Sequence, residues 1–541
     1  MRSRTLTAFA GLCWLLLIVL GLSTFALAQQ YGGTIVEANE AEPSTLDITQ
    51  AVRLPEIIIL NLIHETLFVM DKNVQPEPLL VDSWESSEDA RNWTLRIKQG
   101  ITFHDGTPLD ADAVKYNLER HLTGSHAFML GPLQKVETPD EFTVSLEFAE
   151  PFPLLITYLA NCWLGLISPS AAMQYGEDYG TKAAVGTGPF EFVEWISGDR
   201  VVLKRNESYT HGPSFASNKG PAYVENWIFR FIPETSTLVW ELTDGEVDIS
   251  TYVPASSFEE VSNDPGTAVY TKVAPTSFHI AINNSKPPFT DRRVREAAAH
   301  AIDRQTVVKA GMFGVGEAIP SLVPTSVIGY WKGADYLGEE YTYYSPRRAA
   351  ELLDEAEWVD ANGDGIREKE GSELEIDLFT FRQVRHVRVA EVAGSMLEAV
   401  GFKVNILIAE TGDMYDRITR GEHNLLSTGY AGVSMAQDML FPLLHSDNLG
   451  TLVAWFVYDN KELDELLERS LTEVDSTERT HLLNRAQELI IRDAVNIPIA
   501  SPLDTFVYDE ERIGGVDKYM EHPWAFTRLE LLKGLELFVK D

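Results

Sequence analysis

Cysteine is nearly absent: the 541-residue sequence holds two, Cys13 and Cys162. Cys13 sits inside an apolar N-terminal run, so a chain processed after that run keeps Cys162 alone. An intramolecular disulfide is then excluded, even in an oxidising compartment. No segment after that run offers ~18 uninterrupted apolar residues, so nothing later in the chain reads as a membrane-spanning helix. Positive charge is scarce as well. Forty-four Lys and Arg face 81 Asp and Glu, a formal net charge of −37. Such a chain repels phosphate backbones, which argues against nucleic acid as a partner. Catalytic motifs are missing too. There is no GxSxG nucleophile elbow and no Cys/His constellation. His64-Glu65 begins a metal-protease helix, but Phe68 stands where HExxH needs its second histidine. No catalytic residue is therefore assigned, and an exported hydrolase using paired carboxylates survives only as a competing class. Internal repeats and low-complexity stretches are absent.

What is present begins with a leader. Arg2 and Arg4 precede an apolar run from Ala8 to Leu22, followed by Ala26-Leu27-Ala28. This charged, apolar and small-residue order predicts a cleaved secretory signal over residues 1–28, with an uncleaved anchor as the alternative. Ala10-Gly11-Leu12 before Cys13 is not the Leu-small-small-Cys arrangement of a lipoprotein, so no lipid anchor is expected. The remainder is long enough for two or three domains. Its 45% hydrophobic and 10% aromatic content supports packed cores rather than disorder.

The most informative stretch is 185–209, VGTGPFEFVEWISGDRVVLKRNESY. A small-residue turn through Gly186 and Gly188 feeds Pro189 and an extended segment, Phe190 to Ile196. Ser197-Gly198-Asp199 reverses the chain, and Val201 to Arg205 runs back, which predicts a hairpin. Further on either side, Trp93, Leu95 and Ile97 alternate with polar residues as in a half-buried strand. His104-Asp105-Gly106 reads as a turn whose Asp bonds local backbone, and not as a catalytic pair. Pro108 and Asp110 announce a helix over 111–120. A helix is expected around 55–67, a second hairpin over 136–147, and a helix at 235–243 closed by Asp244-Gly245. Asp291 caps a helix over 292–304 whose Val294, Ala297, Ala298 and Ala301 form one stripe. Ser345-Pro346 starts a helix to about 358. A strand over 374–379 is followed by a loop, a helix over 387–400 stopped by Gly401, and a strand over 404–409. Two charged helices, 461–471 and 476–492, precede a short apolar strand at 495–499.

Taken with their order, these blocks resemble family 5 extracellular solute-binding proteins. GTGPF…W..G…L.RN..Y (186–209), the FHDG block (84–120), LTDGEVDI (242–249) and PF.DRRVREAAAHAIDR (288–304) all match that family's sequence pattern. The resemblance runs from residue 31 to about 510. It implies an α/β, two-lobed type II periplasmic-binding-protein fold with an additional domain in the first lobe. The implied division is 29–61, 192–281 and 503–541 for the first-lobe core, 62–191 for the additional domain and 282–502 for the second lobe. The implied function is capture of a peptide-like or other small polar ligand between the lobes and delivery to ABC permease subunits served by a cytoplasmic ATPase. The protein is expected to be a periplasmic or extracellular monomer without a cofactor. A nickel-chelate, opine or oligosaccharide receptor of the same fold, or a sensory receptor, are the alternatives.

Ligand specificity in this family lies in second-lobe loops. Dipeptide-type members place an arginine where Phe381–His386 stands here, which makes Arg382 or Arg385 a candidate for gripping a carboxylate. Peptide-type members hold the α-ammonium with an aspartate after a Gly-aromatic pair. Here Val433 takes that place and Ala436-Gln437 replace the usual Asp-Pro, leaving Asp438 as a possible substitute, with Tyr430 able to stack on ligand. His386 and His445 are the histidines placed to meet a nickel chelate, but they have no paired ligand spacing. Asp360-Ala361-Asn362-Gly363-Asp364-Gly365 resembles the start of a calcium loop, yet its twelfth position is Gly371, so no complete EF-hand is present and no metal site is assigned.

Overall fold

The computed structural model describes residues 31–431, 435–453, 455–522 and 530–540. The expected leader, with Cys13, and Val433 lie outside the described residues. No helix among the described residues is long and apolar enough to cross a membrane.

One strand organises the molecule. Asn496–Asp509 is 14 residues long and belongs to both halves of a 12-stranded sheet. Its later part pairs antiparallel with Thr267–Val273, from Leu503↔Val273 to Asp509↔Thr267. Beyond it, in order, lie Ile249–Ser250, Thr34–Asn39, Asn226–Phe231, Arg200–Arg205 and Phe190–Ile196. Its earlier part pairs with Ser277–Ile282 and Gly316–Ala318. On that side follow Leu425–Tyr430, Glu375–Phe381 and Lys403–Ala409. The chain therefore changes halves at 274–276 and again at 501–503. Ser277–Ile282, which the sequence reading groups with the first lobe, pairs along its length with Leu425–Tyr430 of the second. At the passage Ala274 N donates to Pro502 O at 2.9 Å, and the buried Ser501 hydroxyl lies 2.5 and 2.7 Å from the carbonyls of Ala274 and Thr276. Each half has its own apolar core. One is built around Ile35, Leu60, Phe190, Trp227 and Phe506, and the others around Ile280, Val294, Leu378 and Val389, and around Phe379, Leu426, Met439 and Leu440.

A four-stranded antiparallel sheet, in the order Val81–Ser86, Asn92–Ile97, Thr143–Phe148, Leu133–Asp140, stands apart from the long sheet. The alternation read at Trp93, Leu95 and Ile97 holds, all three being buried. Helix Ala111–His121 covers it, with the Asp110 carboxylate accepting from Ala113 N.

The 185–209 hairpin forms as expected, with Phe190↔Arg205 and Ile196↔Arg200 in register and Gly198 at φ 75° in the turn. Its glycines answer to proximity. A Cβ on Gly186 would stand 2.1 Å from the Ile63 carbonyl oxygen, and one on Gly188 2.6 Å from that of Leu62. Three expectations need correction. The first helix is Leu54–Ile63, because His64 leaves it to place Nδ1 3.0 Å from the Leu166 carbonyl. The stripe at 292–304 is two helices, Arg292–Ala301 and Arg304–Gly311, since Asp303 breaks the run and caps the second through Gln305 N. The helix expected at 387 already starts at Val384, so Arg385 and His386 stand on its first turn and not in a loop.

Candidate functional site

Between the two halves lies a cleft of about 900 Å³. The first half contributes Phe128, Gly131, Pro132 and Glu150–Phe152 with Tyr158, and the second Tyr430, Gln437, Asp438, Phe441, Pro442, Glu468, Arg469, Leu471 and Thr472. Phe152, between Pro151 and Pro153, stacks on Tyr158 with ring centroids 5.7 Å apart. Apolar surface with a few converging polar groups is the usual make-up of a small-molecule site.

The predicted residues fall into two groups. Asp438 and Tyr430 meet in the cleft. Asp438 sits in the first turn of helix Ala436–Leu444, where its Oδ2 accepts from Met435 N at 3.2 Å. Its Oδ1 accepts from Tyr158 Oη at 2.6 Å, across the two halves. Tyr430 donates to the Asp438 carbonyl at 3.3 Å and packs edge-on against Trp455. Burial, with the Asp438 charge, pushes the Tyr430 hydroxyl up to about 12, so it remains a donor at any physiological pH.

The two arginines behave differently. Arg382, just beyond strand Glu375–Phe381, pairs with Glu410, and both side chains are largely solvent-exposed. That is an exposed pair of small energetic value. Arg385 has no ion pair within 4 Å among the described residues. Desolvation by neighbouring atoms pulls its pKa below the usual arginine value, opposed by Tyr252 and Asp504 of the first half. Water still reaches its side chain. It is a cation in the opening between the halves, held on a rigid helical turn, with its donors uncommitted to a carboxylate.

His386 is wedged between Phe278 and Phe381, with ring centroids 4.7 and 5.6 Å away, and its Nδ1 lies 3.3 Å from the Ser427 carbonyl. Burial and the adjacent Arg385 charge drive it down to about 4, so it is neutral. His445 is buried against Phe441, with Nε2 3.2 Å from Glu468. The one group of three metal-type ligands among the described residues is Asp360, Asp364 and Glu368, on an exposed turn far along the second half. Its carboxylates already accept from the loop's own N–H groups, Gly363, Gly365 and Ile366 among them. His104 and Asp105 form the turn that the sequence suggests: Asp105 accepts from Thr107 N at 3.0 Å, and His104 Nε2 lies 2.9 Å from the Gly188 carbonyl.

Tyr158 and Phe152 line the cleft without having been singled out by the sequence. Their only local signal is the Pro-rich turn before them, which predicts a loop and says nothing about what faces it.

Residues 75–451 match the model of the bacterial extracellular solute-binding proteins, family 5. The chain belongs to this family. It is a solute-binding protein with the two-lobed type II periplasmic-binding-protein fold. Among curated proteins it is similar to the glutathione-binding protein GsiB of Salmonella paratyphi A, 26% identical over 507 residues, covering 91% of this chain and 94% of that one. Among solved structures it is similar to the periplasmic binding protein DppA of Helicobacter pylori in complex with the peptide STSA (22% identity, TM-score 0.73, 96% of this chain and all of that one). It is also similar to NikA of Brucella suis in complex with Fe(III)-EDTA (22% identity, TM-score 0.78, 88% of this chain and 96% of that one). GsiB and DppA are binding proteins by name.

Proposed function

We propose that the chain captures a small peptide-like solute bearing a carboxylate, and that Arg385 grips that carboxylate. The observation that carries this reading is the Arg385 guanidinium, uncommitted to an ion pair and close enough to Tyr252 and Asp504 of the opposite lobe to feel their charge. A planar fork of donors on a fixed helical turn suits a carboxylate. GsiB, by name a glutathione-binding protein, and DppA, solved with a peptide, support the ligand class. Tyr430 and Asp438 line the cleft, while Arg382 is paired with Glu410. The lobes divide at 274–276 and 501–503, and closure about those passages buries the solute, which in turn favours the shut state. The protein works as an exported monomer, released from its leader, that hands its solute to membrane permeases.

The test is calorimetric titration with glutathione, short peptides such as STSA, an opine and a nickel–histidine chelate. The R385A variant is expected to lose about tenfold or more in affinity for the solute that binds. R382A is expected to bind like the wild type. Equal affinity of R385A and the wild type would remove the assignment. Binding of the metal chelate alone would remove the peptide-like class, and saturable hydrolysis of any of these compounds would place the chain among enzymes.

A further inference from the structure

Asp438 is more than a cleft residue, because the lobe opposite already holds it. Tyr158 comes from the short helix Leu155–Leu159 of the first half and is buried. Its ring lies nearly parallel to that of Phe152, at an interplanar angle of 4°, which fixes where the hydroxyl points. That hydroxyl donates to Asp438 across 280 positions of sequence. The second carboxylate oxygen is held by Met435 N, so the acceptor is as fixed as the donor.

Two apolar contacts sit beside the bond. Met435, from the second half, is buried among residues of the first-half core, and Ile328 packs against the same core. The two are tied to one another, Ala436 N donating to the Ile328 carbonyl at 2.8 Å. A patch of the second lobe is thus seated on the first by this chain's own side chains.

We infer that Tyr158 is a positioning residue for lobe closure: its hydroxyl latches Asp438 and holds the lobes together before any solute arrives. The inference rests on closure as the working motion and not on the role of Arg385. Asp438, engaged on both oxygens, then serves the latch and not the capture of a ligand ammonium. Removing a hydrogen bond to a charged, partly buried partner is expected to shift such a two-state balance by about tenfold.

The test needs no ligand. Spin labels are placed on M173C and Y336C, at positions 70% and 83% exposed on opposite lobes, with Cys162 left buried. Distance distributions are recorded by double electron–electron resonance on protein lacking residues 1–28, and so Cys13, after exhaustive dialysis. The wild type is expected to show a majority short distance. Y158F keeps the ring and its stacking and removes one oxygen, so it is expected to raise the open-to-closed ratio about tenfold. D438N is expected to do the same, and the double variant no more than either alone, as for a single shared bond. D438N also reads the bond if Y158F folds poorly. A wild type without the short distance, a Y158F distribution equal to wild type, or fully additive effects would each overturn the latch.

Discussion

Lys533 Nζ donates to both oxygens of the Glu37 carboxylate, at 2.9 and 2.8 Å, entirely out of solvent. Glu530 pairs with the same ammonium, and Trp227 Nε1 donates to Glu37 at 2.9 Å. The ammonium also stands 5.4 Å from the Trp227 ring centroid. One cation thus compensates two carboxylates and fastens the C-terminal helix Glu530–Glu536 to strand Thr34–Asn39. Removing it leaves two buried carboxylates without a counter-charge. K533M is expected to cost about 3–5 kcal/mol, read as a lowered urea midpoint with an unchanged m-value.

The same cluster sets a pH dependence. Burial, chiefly, pushes Glu530 up to about 7, and Glu37 moves in the same direction. An acid raised on folding keeps its proton in the folded state while the unfolded chain has already released it. Stability is therefore greatest below the ordinary carboxylate range and falls as pH rises from there to about 7. The fall approaches about 1.4 kcal/mol per pH unit for one such group. E530Q removes the excess charge. It is expected to flatten this part of the stability curve and to raise the melting temperature at pH 7.5, which denaturation at a series of pH values checks. A steeper slope in E530Q would contradict it.

Glu65, the residue that seemed to open a metal-protease helix, is a buried hub. It accepts from Tyr209 Oη at 2.7 Å and from Thr187 Oγ1 at 2.8 Å, and lies 2.8 Å from His211 Nε2. Thr187 and Tyr209 are the two ends of the family hairpin, so one carboxylate staples both. E65Q exchanges one acceptor oxygen for a donor group among donors, and is expected to lose about 1–3 kcal/mol. Thermal unfolding measures it. Y209F is expected to lose less, since it removes one partner of three.

Gly186→Ala tests the close approach of the same hairpin to helix Leu54–Ile63. The new Cβ meets the Ile63 carbonyl oxygen at 2.1 Å, a backbone atom that cannot swing aside. A loss of about 1–3 kcal/mol is expected from the forced backbone shift. Gly198→Ala, in open space but at φ 75°, is expected to lose about 1 kcal/mol, because a left-handed turn residue disfavours a side chain. Equal melting temperatures for both variants and the wild type would refute the two arguments together.

Much of the scaffold was legible because its determinants are local. Phe190 to Ile196 runs extended, Gly198 turns, and the pairing with Arg200–Arg205 follows from the turn. Where the reading slipped, a distant partner had intervened. Leu67 and Phe68 prolong the apolar pattern of the first helix, but His64 is drawn out of it by the Leu166 carbonyl, 102 positions away. The early start of helix Val384–Glu398 is not legible in the sequence, because Gln383 makes no side-chain cap bond and so offers no start signal. The cleft was half legible. Tyr430 belongs to a Gly-aromatic pair and Asp438 follows it, which singles both out in the sequence, whereas Tyr158 carries no mark of its partner in the residues around it.

The sequence by itself determined the family, the order of strands and helices along most of the chain, and the turns that glycine, proline and capping aspartates impose. These are matters of backbone conformation over a few residues, where neighbouring side chains decide the outcome. Only the tertiary structure decided which of two arginines is spent on a surface pair and which is left facing the opposite lobe. It alone placed the Tyr158 hydroxyl on Asp438 and gathered Glu37, Glu530 and Lys533 into one buried cluster. Those outcomes depend on distances between groups far apart in sequence. Desolvation and hydrogen bonding at such distances take their values only when the sheet and the two lobes have packed.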